Sequence, residues 1–175
     1  MQDVMVDLET LGRRPGCAVL SIGAVAFDPK ACKLGEEFYV VVSIESCRGA
    51  GLHVDPETLT WWEGQSDEAR EVIKLAGHVN TETLSAALMM LAEYLAKFGN
   101  NVRVWGNGSD FDNAILAVCY GQLGLELPWE FWNNRCYRTL KSLRPGVRMV
   151  KREGVRHNAL DDARSQALHA IELLR

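Results

Sequence analysis

No apolar run in this sequence is long enough to cross a bilayer, so a membrane-spanning helix is not expected. The N-terminus, Met1-Gln2-Asp3, lacks the basic segment and apolar core of a secretory signal. Cysteine is sparse. Cys17, Cys32, Cys47, Cys119 and Cys136 are scattered, odd in number and form no CxxC pair. That spacing argues against a disulfide framework and a zinc site, and it fits a reducing cytoplasm. Internal repeats, low-complexity tracts and linkers are missing as well. So is an excess of positive charge: the formal net charge is -4, which does not by itself mark a nucleic-acid binder. What is present is an ordinary globular composition, 47% hydrophobic and 24% charged over 175 residues. One domain covering residues 1–175 with a sizeable core is the expectation.

The charge is unevenly spread. Arg135, Arg138, Lys141, Arg144, Arg148, Lys151, Arg152 and Arg156 face only one acid, Glu153, in the same stretch. The remainder of the chain is therefore strongly acidic. A basic stripe beside an acidic centre suits a phosphate track, and it equally suits a solvated basic loop.

Val4 to Leu8 reads as a first strand, Ala18 to Phe27 as a second and Glu37 to Val42 as a third. The short turns between them predict an antiparallel meander. Cys47 to Val54 reads as irregular. Asp55-Pro56 then opens a helix, with Asp55 as N-cap and proline at the first helical position. Ser66 opens another, and Thr81 to Phe98 is amphipathic, with Leu84, Leu88, Leu91 and Leu95 at helical spacing. Val102 to Trp105 is a short strand followed by a helix from Asp110 to Leu123. Cys136 to Leu143 is a short helix, and Asn158 to Leu174 is the last one. Strands followed by alternating helix and strand predict an α/β fold with a mixed sheet flanked by helices.

Acidic residues gather at element boundaries. Asp7 and Glu9 are two apart at the end of the first strand, so their side chains share a face. Two like charges there repel unless something positive compensates, and a divalent cation suits carboxylate oxygens. Read alone, the pair is equally an edge strand with a solvated acidic face. Asp110 is placed to cap the following helix, which leaves Asp112 in its first turn, as a metal ligand or as a partner of the helix dipole. At the last helix, Asn158 as N-cap puts Asp161 at a capping position and leaves Asp162 with the same two alternatives. His157, just outside that helix, is a general base or a polar loop residue.

Taken together and in order, these segments resemble a known family. Asp7-Leu8-Glu9-Thr10 is similar to the first motif of the DEDDh exonucleases of the ribonuclease H-like superfamily. Phe111-Asp112 followed by Leu116 is similar to the second. His157, Ala159 and Asp162 match the third, H-x-A-x-x-D. Cys136-Tyr137-Arg138-Thr139-Leu140 stands where many members carry Asp-Thr-Leu, here without the aspartate. Asp55 to Ser66 and Trp105-Gly106-Asn107-Gly108 resemble a narrower group of RNase AS-like exoribonucleases and phage exonucleases. The resemblance implies a five-stranded ribonuclease H-like sheet, a meander plus parallel strands. It also implies 3′-5′ removal of nucleoside 5′-monophosphates from single-stranded ends.

By the same resemblance, Asp7, Glu9, Asp112 and Asp162 would hold two Mg²⁺ or Mn²⁺ ions about 3.5–4 Å apart. His157 would take the proton of the attacking water. Thr10 and Leu11 would help to wedge the terminal nucleotide. Trp61 and Trp62 are each a base-stacking platform or core. Gln65 bonds a base edge or caps a helix, Asn107 turns the backbone or touches substrate, and Arg156 is a candidate phosphate contact. The expected partner is a single-stranded RNA or DNA 3′ end, with RNA favoured by the narrower resemblance, no membrane, and a homodimer as a further expectation. Competing readings are a DNA exonuclease, a binding module on the same fold that has lost catalysis, and an unrelated fold whose acids are caps and surface charge.

Overall fold

The computed structural model describes residues 1–149 and 154–175. Lys151 and Arg152 of the basic stretch lie outside the described residues, as does its one acid, Glu153. The central strand, β1 (Asp3–Thr10), is buried along its whole length. Its alternation divides the core in two. Val4, Val6 and Leu8 join the larger apolar cluster, while Met5 joins a smaller one with Ala163, Ala167 and Ala170 on the other face. Asp7 and Glu9 share the face of Met5 by the two-residue period of a strand.

β1 pairs antiparallel with β2 (Val19–Asp28), which pairs antiparallel with β3 (Lys33–Val41). On its other side β1 runs parallel to β4 (Arg103–Gly106), and β4 runs parallel to β5 (Asn134–Cys136). The order β3-β2-β1-β4-β5 is the mixed five-stranded sheet expected. β5 does not follow from the local pattern, because three residues carry no measurable alternation.

Seven α-helices flank the sheet among the described residues. α1 (Ile44–Gly49) occupies part of the stretch read as irregular. At six residues it is too short for a periodic apolar signal, and Ser43 starts it by accepting the N–H of Ser46. α2 (Pro56–Glu63) begins as expected, with the Asp55 carboxylate accepting the N–H of Glu57 at 3.0 Å. α3 (Asp67–Ala76) is capped by Ser66, and α4 (Leu84–Ala96) by Thr83. α4 buries Leu84, Leu88, Leu91 and Leu95, the stripe seen in the sequence. α5 (Asp112–Gln122) follows β4, α6 (Tyr137–Leu143) follows β5, and α7 (Ala159–Leu174) closes the chain. No helix among the described residues is long and apolar enough to cross a membrane.

α7 lies close against β1 and β2, and one glycine permits this. A Cβ on Gly23 would meet the backbone of Ala159 at 2.2 Å. Only a residue without a side chain lets the first turn of α7 come so near the sheet. That turn carries Asp162, so the approach delivers a carboxylate to the end of β1.

Candidate active site

β1 and β4 are parallel, and their C-terminal ends open on one cleft of about 640 Å³. This is the end of a parallel pair at which sites form in α/β sheets. Asp7, Glu9 and Thr10 reach it from β1, Asn107 from the turn after β4, Trp61 and Trp62 from α2, and Asp162 and Gln166 from α7, with His157 just before α7. Asp112, at the first position of α5, is 1% exposed and lies beneath the same end of the sheet.

Asp112 is fixed by backbone. Its Oδ1 accepts the N–H of Leu8 at 3.2 Å, and its Oδ2 accepts the N–H of Asn107 at 2.7 Å. Asp110, expected to cap this helix, does not do so. The N-cap position is Phe111, which has no side-chain cap, and Asp110 is exposed. The dipole end is instead served by the Asp112 carboxylate in the first turn. The turn before it is tight: a Cβ on Gly106 would stand 3.0 Å from the Asp112 Cβ.

At the last helix the expectation for Asn158 stands. Its Oδ1 accepts the N–H groups of Leu160 and Asp161 at 3.1 and 3.2 Å. Asp161 points away from the cleft and accepts from Val155 N–H and the Arg164 guanidinium, each at 2.8 Å. Asp162 is buried and lines the cleft.

The carboxylates sit in a demanding electrostatic setting. Burial pushes Asp7 well above the usual carboxylate range, and the charges of Asp112, Glu9 and Asp162 push it further in the same direction. Asp112 is pushed up to about 6 by burial, although the N–H groups of Asn107 and Leu8 and the charge of Arg138 favour its ionised form. Among the described residues the hydrogen bond to Asp7 comes from an uncharged amide, Gln166 Nε2, at 2.6 Å. Such a cluster suits a hard divalent cation, which relieves mutual repulsion and needs oxygen ligands. Glu9, Asp162 and His157 add to the fit, because one ligand atom from each lies within 4.8 Å of the others.

His157 has φ of 63°, a left-handed backbone that side chains rarely adopt, although histidine is enriched there. Its ring meets Trp61 edge-on at 4.9 Å and Trp62 at 6.1 Å between centroids. The two tryptophans divide as neighbouring residues on a helix do. Trp61 is 46% exposed on the cleft wall, and Trp62 is 1% exposed with its Nε1–H donating to the carbonyl of Thr10 at 3.0 Å. Thr10 lines the cleft while its hydroxyl donates to the carbonyl of Gly12.

Other expected contacts fall elsewhere. Leu11 is not at the cleft: it is 1% exposed and packed in the larger core, so it presents no wedge to a nucleotide. The register of β1 against β2 shifts between Glu9 and Thr10, so the two-residue alternation breaks there and Leu11 packs with Val4, Val6 and Leu8. Gln65 caps its helix, its Nε2 donating to the carbonyl of Trp61 at 3.0 Å, and it does not line the cleft. Arg156 is exposed and outside the cleft lining. Asn107 does line it.

Sequence reasoning missed Gln166 and Tyr137, and it gave Lys141 only a place in a basic stretch; all three line the cleft. Gln166 stands one helical turn after Asp162, and that i, i+4 spacing was the available signal.

Known nucleases resemble this chain in sequence and in fold. An exodeoxyribonuclease of Enterobacteria phage T4 is 29% identical over 171 residues, covering 79% of this chain and 70% of its own. The nuclease domain of 3′hExo, a DEDDh family member bound to rAMP, has a TM-score of 0.65 at 13% identity, covering 98% of this chain and 90% of that one. Exonuclease X in complex with 5′ overhanging duplex DNA has a TM-score of 0.57 at 15% identity, covering 98% and 90%. These two structures share the fold. The family model of the 3′-5′ exoribonuclease Rv2179c-like domain matches residues 2–174, and the chain belongs to that family.

Proposed function

We propose that this protein removes nucleoside 5′-monophosphates one at a time from the 3′ end of single-stranded RNA, and that residues 1–175 form one exonuclease domain for that purpose. One observation carries the reading: Asp7, Glu9, His157 and Asp162, from the two ends of the chain, line one cleft walled by an exposed tryptophan, and the buried Asp112 carboxylate from the middle of the chain acts on Asp7 beside it.

Asp7, Glu9, Asp112 and Asp162 would hold two Mg²⁺ or Mn²⁺ ions. Bound there, the metal supplies Lewis acidity to the scissile phosphate and lowers the pKa of a water. The residues of the chain do the rest. The exposed face of Trp61 stacks on the terminal base, which needs no particular sequence. Thr10 and Asn107 border the terminal nucleotide. Trp62 holds the carbonyl of Thr10 and so fixes α2 against the end of β1. His157 accepts a proton from the attacking water as its oxygen joins phosphorus, the bond from phosphorus to the 3′ oxygen breaks, and that oxygen takes a proton from solvent to leave as the 3′ hydroxyl of the shortened strand. Arg138 and Lys141 of α6, with Arg148 and Arg156 beyond, meet the phosphates upstream.

The preference for RNA rests on the exoribonuclease family description, and the phage exodeoxyribonuclease supports DNA as the second reading. The scattered cysteines favour a cytoplasmic place of action, and a homodimer is the expected assembly. Incubation of 3′- and 5′-labelled RNA and DNA single strands with Mg²⁺, Mn²⁺ or EDTA tests the whole reading. The expected outcome is stepwise shortening from the 3′ end, faster on RNA, and abolished by EDTA. Faster cleavage of DNA overturns the sugar preference. Binding without release of mononucleotides overturns catalysis.

A further inference from the structure

Gln166 has no duty in the scheme above, yet it is placed like a working part. It is 4% exposed, it lines the cleft, and its Nε2 donates to Asp7 Oδ1 at 2.6 Å. Its Oε1 is buried without a hydrogen-bond partner among the described residues. A buried amide oxygen left in that state is costly, so the amide is not there for packing alone. An aliphatic side chain would fill the same space without the penalty.

Charge explains the choice of an amide. Asp7 needs a donor to fix its rotamer at the bottom of an acidic cluster. A lysine or arginine would fix it too, but would neutralise the cluster and take the place of a cation. Glutamine holds one carboxylate oxygen and adds no charge. Asp7 lines the cleft beside that bond, and the amide brings no positive charge to compete with a metal ion.

We propose that Gln166 is the positioning residue for Asp7, holding that carboxylate in its metal-binding orientation without neutralising the site. The proposal rests on the metal reading of the cleft, and the test separates the two. The Gln166→Leu variant keeps the volume and loses the amide. Wild type and variant are titrated with Mn²⁺ against melting temperature after EDTA treatment, and with Mn²⁺ against kcat on an oligonucleotide.

The expected result is a midpoint moved to higher Mn²⁺ by about 10-fold or more in both titrations. The KM for the oligonucleotide stays within about twofold, and kcat recovers toward wild type at saturating Mn²⁺. If Gln166→Leu does not fold, Gln166→Met, flexible and unbranched, is measured in its place. A midpoint within about twofold of wild type, whatever the change in melting temperature of the metal-free protein, overturns the role of Gln166. A wild type whose melting temperature does not respond to Mn²⁺ overturns the metal reading and this inference with it.

Discussion

Across 104 positions of sequence, the carboxylate of Asp112 accepts the backbone N–H of Leu8 at 3.2 Å. The bond ties the second acidic segment to the first, and with Asn107 it occupies both carboxylate oxygens. An asparagine at 112 would set its NH₂ against one of those N–H groups, donor to donor. Asp112→Asn should therefore lower kcat on the order of 100-fold or more. Asp110→Asn should leave activity and stability unchanged within about 0.5 kcal/mol, because Asp110 is exposed and caps nothing. Oligonucleotide turnover and thermal melts of both variants check the pair, and an inactive Asp110→Asn would overturn the assignment.

The metal-free protein should lose stability as pH rises from about 4 to about 6. Asp112 titrates near 6 when folded against 3.8 as an ordinary carboxylate, and Asp7 moves the same way. In that window the folded state holds protons that the unfolded state has released, so the stability is full below the lower value and lost through the upper one. Asp28 and Glu37 have lowered values and act at more acidic pH with the opposite sign. Denaturant melts in EDTA across pH 4–7.5 should show the decline for wild type, a smaller one for Asp112→Asn, and its reversal by Mg²⁺. A decline equal in wild type and variant would show that Asp112 is not the group that titrates.

His157→Ala should lower kcat by about 100-fold to 10,000-fold, the range for a general base. The Mn²⁺ midpoint in a melting titration should stay within about twofold of wild type. The ligand atoms of His157, Glu9 and Asp162 are close enough for a shared ion, so loss of the melting response would make His157 a ligand and not a base.

The tryptophans should separate cleanly. Trp61→Ala should raise KM by about 5-fold to 150-fold, the worth of one stacked base, with little change in melting temperature. Trp62→Ala removes a fully buried ring and its bond to Thr10, and should cost about 3–5 kcal/mol of stability. Equal effects of the two on stability would show that Trp61 is also core.

Lys141 lines the cleft, and the guanidinium of Arg138 stands near Gly108 beside it. Changing Arg138, Lys141 and Arg148 together to alanine should weaken binding of a single strand. The slope of log affinity against log salt should flatten by about 0.7 for each phosphate no longer neutralised. An unchanged slope would make the basic stretch a solvated loop.

The pattern of residues near in sequence decided much of this protein. The period of β1 placed Asp7 and Glu9 on one face, Asn158 marked the start of α7, and the leucine stripe set the buried side of α4. These are local facts, governed by the geometry of one strand or one helix turn. The brief elements α1 and β5 escaped notice because so few residues carry no period. Tertiary structure alone decided which carboxylates meet. Asp112 became the occupant of two backbone N–H groups, and Asp110 a surface residue, only when β4 lay beside β1. Leu11 went to the core and Trp61 to the cleft for the same reason: burial is set by what packs against an element, and sequence spacing gives only its faces. Gln166 owes its place beside Asp7 to the approach of α7 over Gly23, a contact between residues more than a hundred positions apart that no local pattern encodes.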